Sequence, residues 1–488
     1  MSARGIGIND RDVLPGKELI TTRFILDRRY ALRGYKKLPY GIQDQFKGTT
    51  EFMTEPRFAL LMSCDGQTDI DIESLPKVAS DIYKHWLNQG TIHKCTGGES
   101  LLPYQEYRFY NVRFKQTAMW SVTGRCNYNC RHCFMSAPEA LQGEPSFEQC
   151  IYILDSLERC GIKEVHLTGG EPLVRNDFWD IVDEILKRDI IIKTIYSNGK
   201  LVDEDFAGNL RARHIRPSVQ FSFDGAGKHD LMRGVKGAED DVIRAFELCR
   251  REGIITSASM VLCKDNRDTI RDTVRLLGSL GCSYFKVGSA YEQGDWLNHL
   301  DRALTTRETY GIFMDYIPEY FEDNMPVSLG LEGFFNYEHP EDKAFCSFER
   351  DIPDESLPKV KMCAHVKNSL YISPSGQILP CFSMIGQPIE NRMPNMFDTP
   401  LEDILNNSLY TDIINYSCKD YFDHNPDCNI CKYKNYCCGG CRAVAIRTAG
   451  DDYLGKDLRT CEYFMGGWKE KKDELLRNID NKQMKEKK

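Results

Sequence analysis

Cys126-Asn-Tyr-Asn-Cys130-Arg-His-Cys133 sets three thiols at C-x3-C-x2-C spacing, just after the strand-like run Ala118-Met-Trp-Ser-Val122 and a Thr123-Gly124 turn. Three thiolates on one loop can hold three irons of a [4Fe–4S] cube and leave the fourth iron without a protein ligand. The alternative is a structural zinc loop, which normally takes four ligands in paired C-x2-C or Cys/His spacings. The next strand-like run ends in Thr168-Gly169-Gly170-Glu171-Pro172. A glycine pair there lets backbone approach a ligand that side chains would block.

Outward from this pair the chain alternates strand and helix from about 115 to 325. The expected strands are Ala118–Val122, Glu164–Leu167, Ile190–Tyr196, Ser218–Phe223, Ile254–Leu262 and Tyr284–Gly288. Ser146-Phe-Glu-Gln149 reads as a capping box, with Phe147, Ile151 and Leu154 at helical spacing and Gly161 closing the helix. Val242, Phe246 and Cys249 repeat the stripe in a later helix. Six β/α units in series predict an α/β fold, a partial (β/α)6 TIM-like barrel over 115–340, with chemistry at the strands' C-terminal ends. Ser197-Asn198-Gly199 ends the third strand, and Ser222-Phe-Asp224-Gly225, His229-Asp230 and Arg233-Gly234 follow the fourth.

The totals bound the rest. A chain of 488 residues, 41% hydrophobic and 28% charged, is expected to fold as two to four soluble domains. No apolar run is long enough to span a bilayer, and Met1–Asp10 shows no secretory signal. A net charge of −9 argues against a polyanion binder. Twenty cysteines without a signal point to metal or catalysis rather than disulfides, hence a reducing cytoplasm. Cys150, Cys160, Cys249, Cys263 and Cys282 lie in apolar runs and read as buried, inert thiols.

Residues 1–100 form a separate unit, with short strands at Tyr30–Gly34, Tyr40–Asp44 and Thr50–Met53. Helices over Pro56–Met62 and Leu75–Leu87 and a closing strand at Thr91–Lys94 suggest a winged helix-turn-helix. Arg57, Lys77, Lys84 and Lys94 are offset by Asp65, Asp69, Asp71, Glu73 and Asp81, so nucleic acid is not the expected partner. Residues 341–468 are cysteine-dense and turn-rich. There Cys363-x12-Gly376-x4-Cys381 is followed by Cys428-x2-Cys431-x5-Cys437-x3-Cys441 and Cys461. Seven thiols at these gaps read as auxiliary iron–sulfur ligands. The charged tail, 469–488, lacks a sustained apolar stripe and reads as solvated or frayed.

With these motifs the chain resembles the radical S-adenosylmethionine (SAM) superfamily and its SPASM-containing branch. More narrowly, it resembles maturases of ribosomally made peptides (RiPPs), of the sactisynthase and ranthipeptide thioether-forming type. The resemblance implies that SAM chelates the open iron of the Cys126, Cys130 and Cys133 cluster. Gly169, Gly170, Glu171 and Pro172 would then meet its amino group. Ser197, Asn198, Ser222, Asp224 and Arg233 would supply further contacts, Ser222 and Arg233 those to its carboxylate and ribose. For Asp224 and His229 a loop-capping network is an equal reading. The family favours an aromatic residue where this chain has His132, so adenine packing could fall to His132 or Phe134.

By the same resemblance Cys428, Cys431, Cys437 and Cys461 hold one auxiliary [4Fe–4S] cluster and Cys363, Cys381 and Cys441 another, three clusters in all. Cys346 is the candidate for the missing ligand, with Cys418 and Cys438 behind it. If Cys346 ligates, the cluster is closed and serves electron transfer; if not, an open iron can hold a substrate thiolate. The N-terminal unit resembles a RiPP recognition element, in which a leader peptide adds as a strand to the sheet.

The implied activity is reductive SAM cleavage by electrons from a flavodoxin or ferredoxin. Hydrogen abstraction and a thioether bond between cysteine sulfur and carbon in a precursor peptide would follow. Carbon–carbon crosslinking, epimerisation and oxidation of Cys or Ser to formylglycine are the alternatives within the class. A non-catalytic iron–sulfur or zinc scaffold is the alternative outside it, and gives the glycine pair and the Ser222–Arg233 stretch no purpose. No nucleic-acid or membrane partner is implied.

Overall fold

Parallel strands covered by helices on the outside read as short apolar runs, and all six runs are strands. The computed structural model describes residues 22–96, 98–338 and 344–486; the first 21 residues of the 1–100 unit, with the stretch read for a signal, lie outside them. The strands span Thr117–Thr123, Glu164–Gly169, Ile191–Ser197, Ser218–Ser222, Thr256–Leu262 and Tyr284–Ser289, each parallel to the next. Helices Phe147–Arg159, Phe178–Lys187, Glu204–Ala212, Ala238–Arg251 and Ile270–Ser279 connect them.

The capping box forms: Gln149 N–H donates to Ser146 Oγ at 3.2 Å, and Ser146 N–H donates to Gln149 Oε1 at 2.9 Å. Phe178, Ile181, Val182 and Ile185 of the second helix are fully buried, each worth about 1.5–3 kcal/mol relative to exposure.

The sheet is longer than the six expected strands. Ser328–Leu331 continues it in parallel after Tyr284–Ser289, and Phe335–Tyr337 closes that end antiparallel. At the other end Ser369–Ile372, from the cysteine-dense region, pairs in parallel with Thr117–Thr123, and Ile378–Leu379 turns back on it. The open ten-stranded order therefore binds the two cysteine fields into one sheet.

The tail also differs from its expectation. Trp468–Glu486 is a helix, and Trp468 packs edge-on against Tyr310 and Phe334. Lys472 is only 3% exposed and donates to Glu349 at 2.7 Å. One aromatic anchor and one buried ion pair thus order the start of a helix whose own pattern is weak.

Chain contacts separate a unit ending at Tyr110 from one beginning at Asn111. In the first, Thr22–Leu26 lies between Asp65–Ile70 and Ile92–Cys95 in an antiparallel sheet. A second sheet runs in the order Thr50–Phe52, Leu38–Asp44, Tyr30–Lys36, Arg108–Arg113. Helices Glu55–Met62 and Lys77–Asn88 bury Phe58, Leu61, Tyr83 and Trp86 against Phe24, Leu26, Leu32 and Ile42. Asp65–Ile70 escapes sequence reading because Asp-Gly-Gln-Thr-Asp has no apolar alternation. Among the described residues no helix is long and apolar enough to cross a membrane.

Candidate functional site

The three-cysteine loop is pinned by backbone from several strand ends. Gly170 N–H donates to Thr123 O at 3.0 Å, Glu171 N–H to Arg125 O at 2.9 Å, and Arg131 N–H to Met232 O at 3.0 Å. Asp295 N–H donates to Cys133 O at 2.9 Å. A Cβ on Gly170 would stand 2.3 Å from Arg125 O, and one on Gly294 2.3 Å from Cys133 O. Glycine is therefore required at Gly170 by the packing of the cysteine loop itself, a reason additional to ligand approach.

A cavity of about 410 Å³ opens at the C-terminal ends of these strands. Cys126, Cys130 and Cys133 line it, with Gly169, Gly170, Ser197, Asn198, Ser222 and Arg233. His132 and Phe134 line it too. Burial pulls His132 down to about 4, leaving a neutral ring.

Glu171, Pro172 and Asp224 are buried and are not among the residues lining the cavity. The fully buried Glu171 carboxylate accepts from Asn198 N–H at 2.7 Å and Ser197 Oγ at 3.0 Å, so it fixes the loop that faces the cavity. Burial pushes its carboxyl up to about 7 against these donors. Asp224 pairs with Arg233 Nη2 at 2.7 Å, stands 3.5 Å from His132 Nε2, and accepts from Val261 N–H at 2.8 Å. Burial works to raise its carboxyl, but Arg233, His132 and His229 together hold it below the usual carboxylate range. His229 Nδ1 accepts from Asp224 N–H at 2.9 Å, the loop-capping network.

The donor set suits an iron–sulfur cluster with a chelating amino acid. Burial pushes the Cys126 thiol up to about 12 and raises Cys130 and Cys133, so ionising all three calls for a bound cation. Arg233 Nε is buried without a hydrogen-bond partner, while Nη1 lies 3.5 Å from Cys130 Sγ; a cation with a spare donor is placed for a carboxylate. Among the described residues no three Cys, His, Asp or Glu side chains converge on a single-ion site. A multi-iron cluster takes one thiolate per iron.

The second cysteine field falls into two groups. Burial, with Cys461 and Cys428 adding, pushes Cys437 to about 12, and Cys461 in turn feels Cys428 and Cys431. Burial pushes Cys381 to about 11 with help from Cys441 and Cys363, and all three act on the buried Tyr453 phenol. Cys346 is buried, with Lys472 and Glu349 as its strongest charged neighbours. Cys418 and Cys438 contact each other inside a small apolar cluster.

Sequence reading missed Lys286, Tyr291 and Glu332, which also line the cavity. The available signal was one lysine between Phe285 and Val287 in an otherwise apolar strand.

A Radical SAM superfamily model matches residues 120–277, and a SPASM iron–sulfur cluster-binding domain model matches 363–432. The AdoMet-dependent heme synthase of Nitratidesulfovibrio vulgaris is 24% identical over 352 residues, 70% of this chain and 91% of that protein. The antilisterial bacteriocin subtilosin biosynthesis protein AlbA of Bacillus subtilis is 25% identical over 329 residues, 66% of each. SuiB of Streptococcus suis shares the fold at 16% identity. Its structure with S-adenosylmethionine gives a TM-score of 0.61 over 90% of this chain and 100% of that one. Its structure with precursor peptide SuiA gives 0.59 over 87% and 97%.

Proposed function

We propose that this chain, an enzyme of the radical SAM superfamily with a SPASM domain, is a peptide maturase that installs thioether crosslinks between cysteine sulfur and carbon in a ribosomally made precursor. The observation that carries the reading is a single cavity lined by the three-cysteine loop, the glycine pair, Ser222 and Arg233. The likeness to AlbA and to a SuiB solved with a precursor peptide supports a peptide substrate.

In this reading Cys126, Cys130 and Cys133 hold the SAM cluster, and Arg233 and Ser222 hold the SAM carboxylate. Asp224 and Glu171 position the loops that carry Arg233, Ser197 and Asn198. When bound and reduced, cluster and SAM together supply a radical able to take hydrogen from the substrate. The chain supplies orientation and a water-poor cavity, in which neutral His132 and Phe134 form apolar wall.

Cys428, Cys431, Cys437 and Cys461 hold one auxiliary cluster, Cys363, Cys381 and Cys441 another, making three in all. Residues 1–100 bind the leader. The support is an outer strand, Ile92–Cys95, at the edge of a small antiparallel sheet, the geometry to which an extended peptide adds. Residues 115–340 form the SAM barrel, 341–468 the auxiliary-cluster domain and 469–488 its charged extension. A flavodoxin or ferredoxin in the cytoplasm is the reductant.

Incubating the anaerobically reconstituted enzyme with SAM, dithionite and the precursor encoded beside it should give a product about 2 Da lighter per link, since each link removes two hydrogens. Thiols that stay alkylatable with no change in mass would refute thioether formation. A loss of mass with thiols intact would move the assignment to carbon–carbon crosslinking.

Cys346 is proposed as the further ligand of the first auxiliary cluster. Cys346→Ala should then lower iron per chain and change the electron paramagnetic resonance spectrum. Unchanged iron and an unchanged spectrum would remove it from the ligand set.

A further inference from the structure

Away from the cysteine loop the cavity is lined by side chains that are polar but uncharged. Tyr196, Gln220 and Ser259 are the three whose hydrogen-bonding groups have no partner among the described residues. Tyr196 and Gln220 are register partners on neighbouring strands, and Ser259 is the register partner of Ser222. Gln220 stands two residues before Ser222 on one strand and faces the same side. That spacing sets it roughly 6–7 Å further from the strand's C-terminal end than the proposed SAM contact. Burial raises the Tyr196 phenol against nearby Lys286, so its hydroxyl stays neutral. The charged groups of the wall answer one another instead. Glu332 is the leading influence on the Lys286 amine, and Lys286 leads Arg459 and Arg447 in holding the Glu332 carboxylate down against burial. Arg233, the other cation lining the cavity, pairs with Asp224 at 2.7 Å.

Enclosed polar groups are satisfied in native structures, by protein, water or a bound molecule. One glutamine amide and two hydroxyls offer both donors and acceptors. A carboxylate uses only the donors and an ammonium only the acceptors, whereas an uncharged amide uses both. A primary amide pairs with Gln220 through two reciprocal N–H···O bonds, and the N–H and C=O of one extended residue do the same. We propose that Gln220, with Tyr196 and Ser259 beside it, is the recognition point for an amide of the peptide substrate, from its main chain or from an Asn or Gln side chain. This rests on the peptide-maturase reading and adds the chemical group by which the peptide is held below SAM.

The test measures binding, not turnover, on the full reconstituted chain with SAM bound, by saturation-transfer NMR. The probes are N-acetyl-asparagine N-methylamide, its isosteric leucine counterpart, and N-acetyl-leucine methyl ester, in which oxygen replaces a main-chain N–H. Tighter binding of the asparagine than the leucine probe reports a side-chain amide; tighter binding of the leucine amide than its ester reports a main-chain one. At least one of these preferences is expected, at about tenfold, the effect of one or two hydrogen bonds. Gln220→Met keeps the length of the side chain without its amide and should erase the preference, and Tyr196→Phe should weaken it. Equal binding of all three probes by the native chain overturns the proposal, as does a preference that survives Gln220→Met. Displacement of the probes by SAM would assign these groups to SAM and overturn it too. If Gln220→Met does not fold, the native-chain comparison and Tyr196→Phe decide. A precursor that stays unmodified while the preference holds in the native chain and is lost in Gln220→Met would remove the maturase reading and leave amide recognition standing.

Discussion

Replacing Cys126, Cys130 and Cys133 together by alanine is expected to remove about four irons per chain and abolish SAM cleavage, because the triplet is the proposed seat of one complete cluster. For enzymes generally the acceleration at stake starts at about 10⁶-fold, so no residual turnover should be measurable. The fold should survive. The loop is held by backbone bonds from Gly170, Glu171, Arg131 and Asp295, none of which uses a cysteine sulfur. Iron analysis and 5′-deoxyadenosine release under dithionite read the outcome, with circular dichroism as the control for folding. The auxiliary signals should persist, since their thiols belong to a separate stretch of chain. Iron content equal to that of the native chain, or continued 5′-deoxyadenosine release, would show that the loop is not the cluster site.

Asp224→Asn should have the next largest effect, although Asp224 does not touch the cavity. Its fully buried carboxylate is the opposite charge for Arg233 and stands beside His132. Asparagine preserves the shape and can still accept from Val261 N–H, but it leaves a buried guanidinium without its counter-charge. Breaking a buried ion pair in this way costs about 3–5 kcal/mol, which should lower the melting temperature by several degrees. Arg233 would also lose the partner that orients it. A misplacement of that kind far from the bond being broken can cost about 10²-fold in rate. Thermal melts and single-turnover SAM cleavage measure the two effects separately. A stable variant with unimpaired cleavage would show that Arg233 is held by Cys130 and backbone alone.

Glu171 illustrates how far a motif can be read. It follows the glycine pair, yet its carboxylate is fully buried and organises Ser197 and Asn198. The motif names the residue, but the direction of its side chain depends on a strand that lies elsewhere in the chain. Asp224 repeats the lesson, and Lys286, Tyr291 and Glu332 extend it to residues that no motif singled out.

The chain by itself determined what depends on neighbours in sequence. That covers the thiol spacings, the capping box at Ser146, and six strands whose apolar runs match burial between core and helices. Tertiary structure alone decided what depends on pairing across long separations. Ser369–Ile372 is too short to declare itself a strand and becomes one only beside Thr117–Thr123. The tail helix Trp468–Glu486 is anchored at its start, where Trp468 and Lys472 meet their partners. The physical reason is the same in both cases: a short or weakly patterned segment cannot offset its ordering entropy from local bonds, so its conformation is set by the surface it meets.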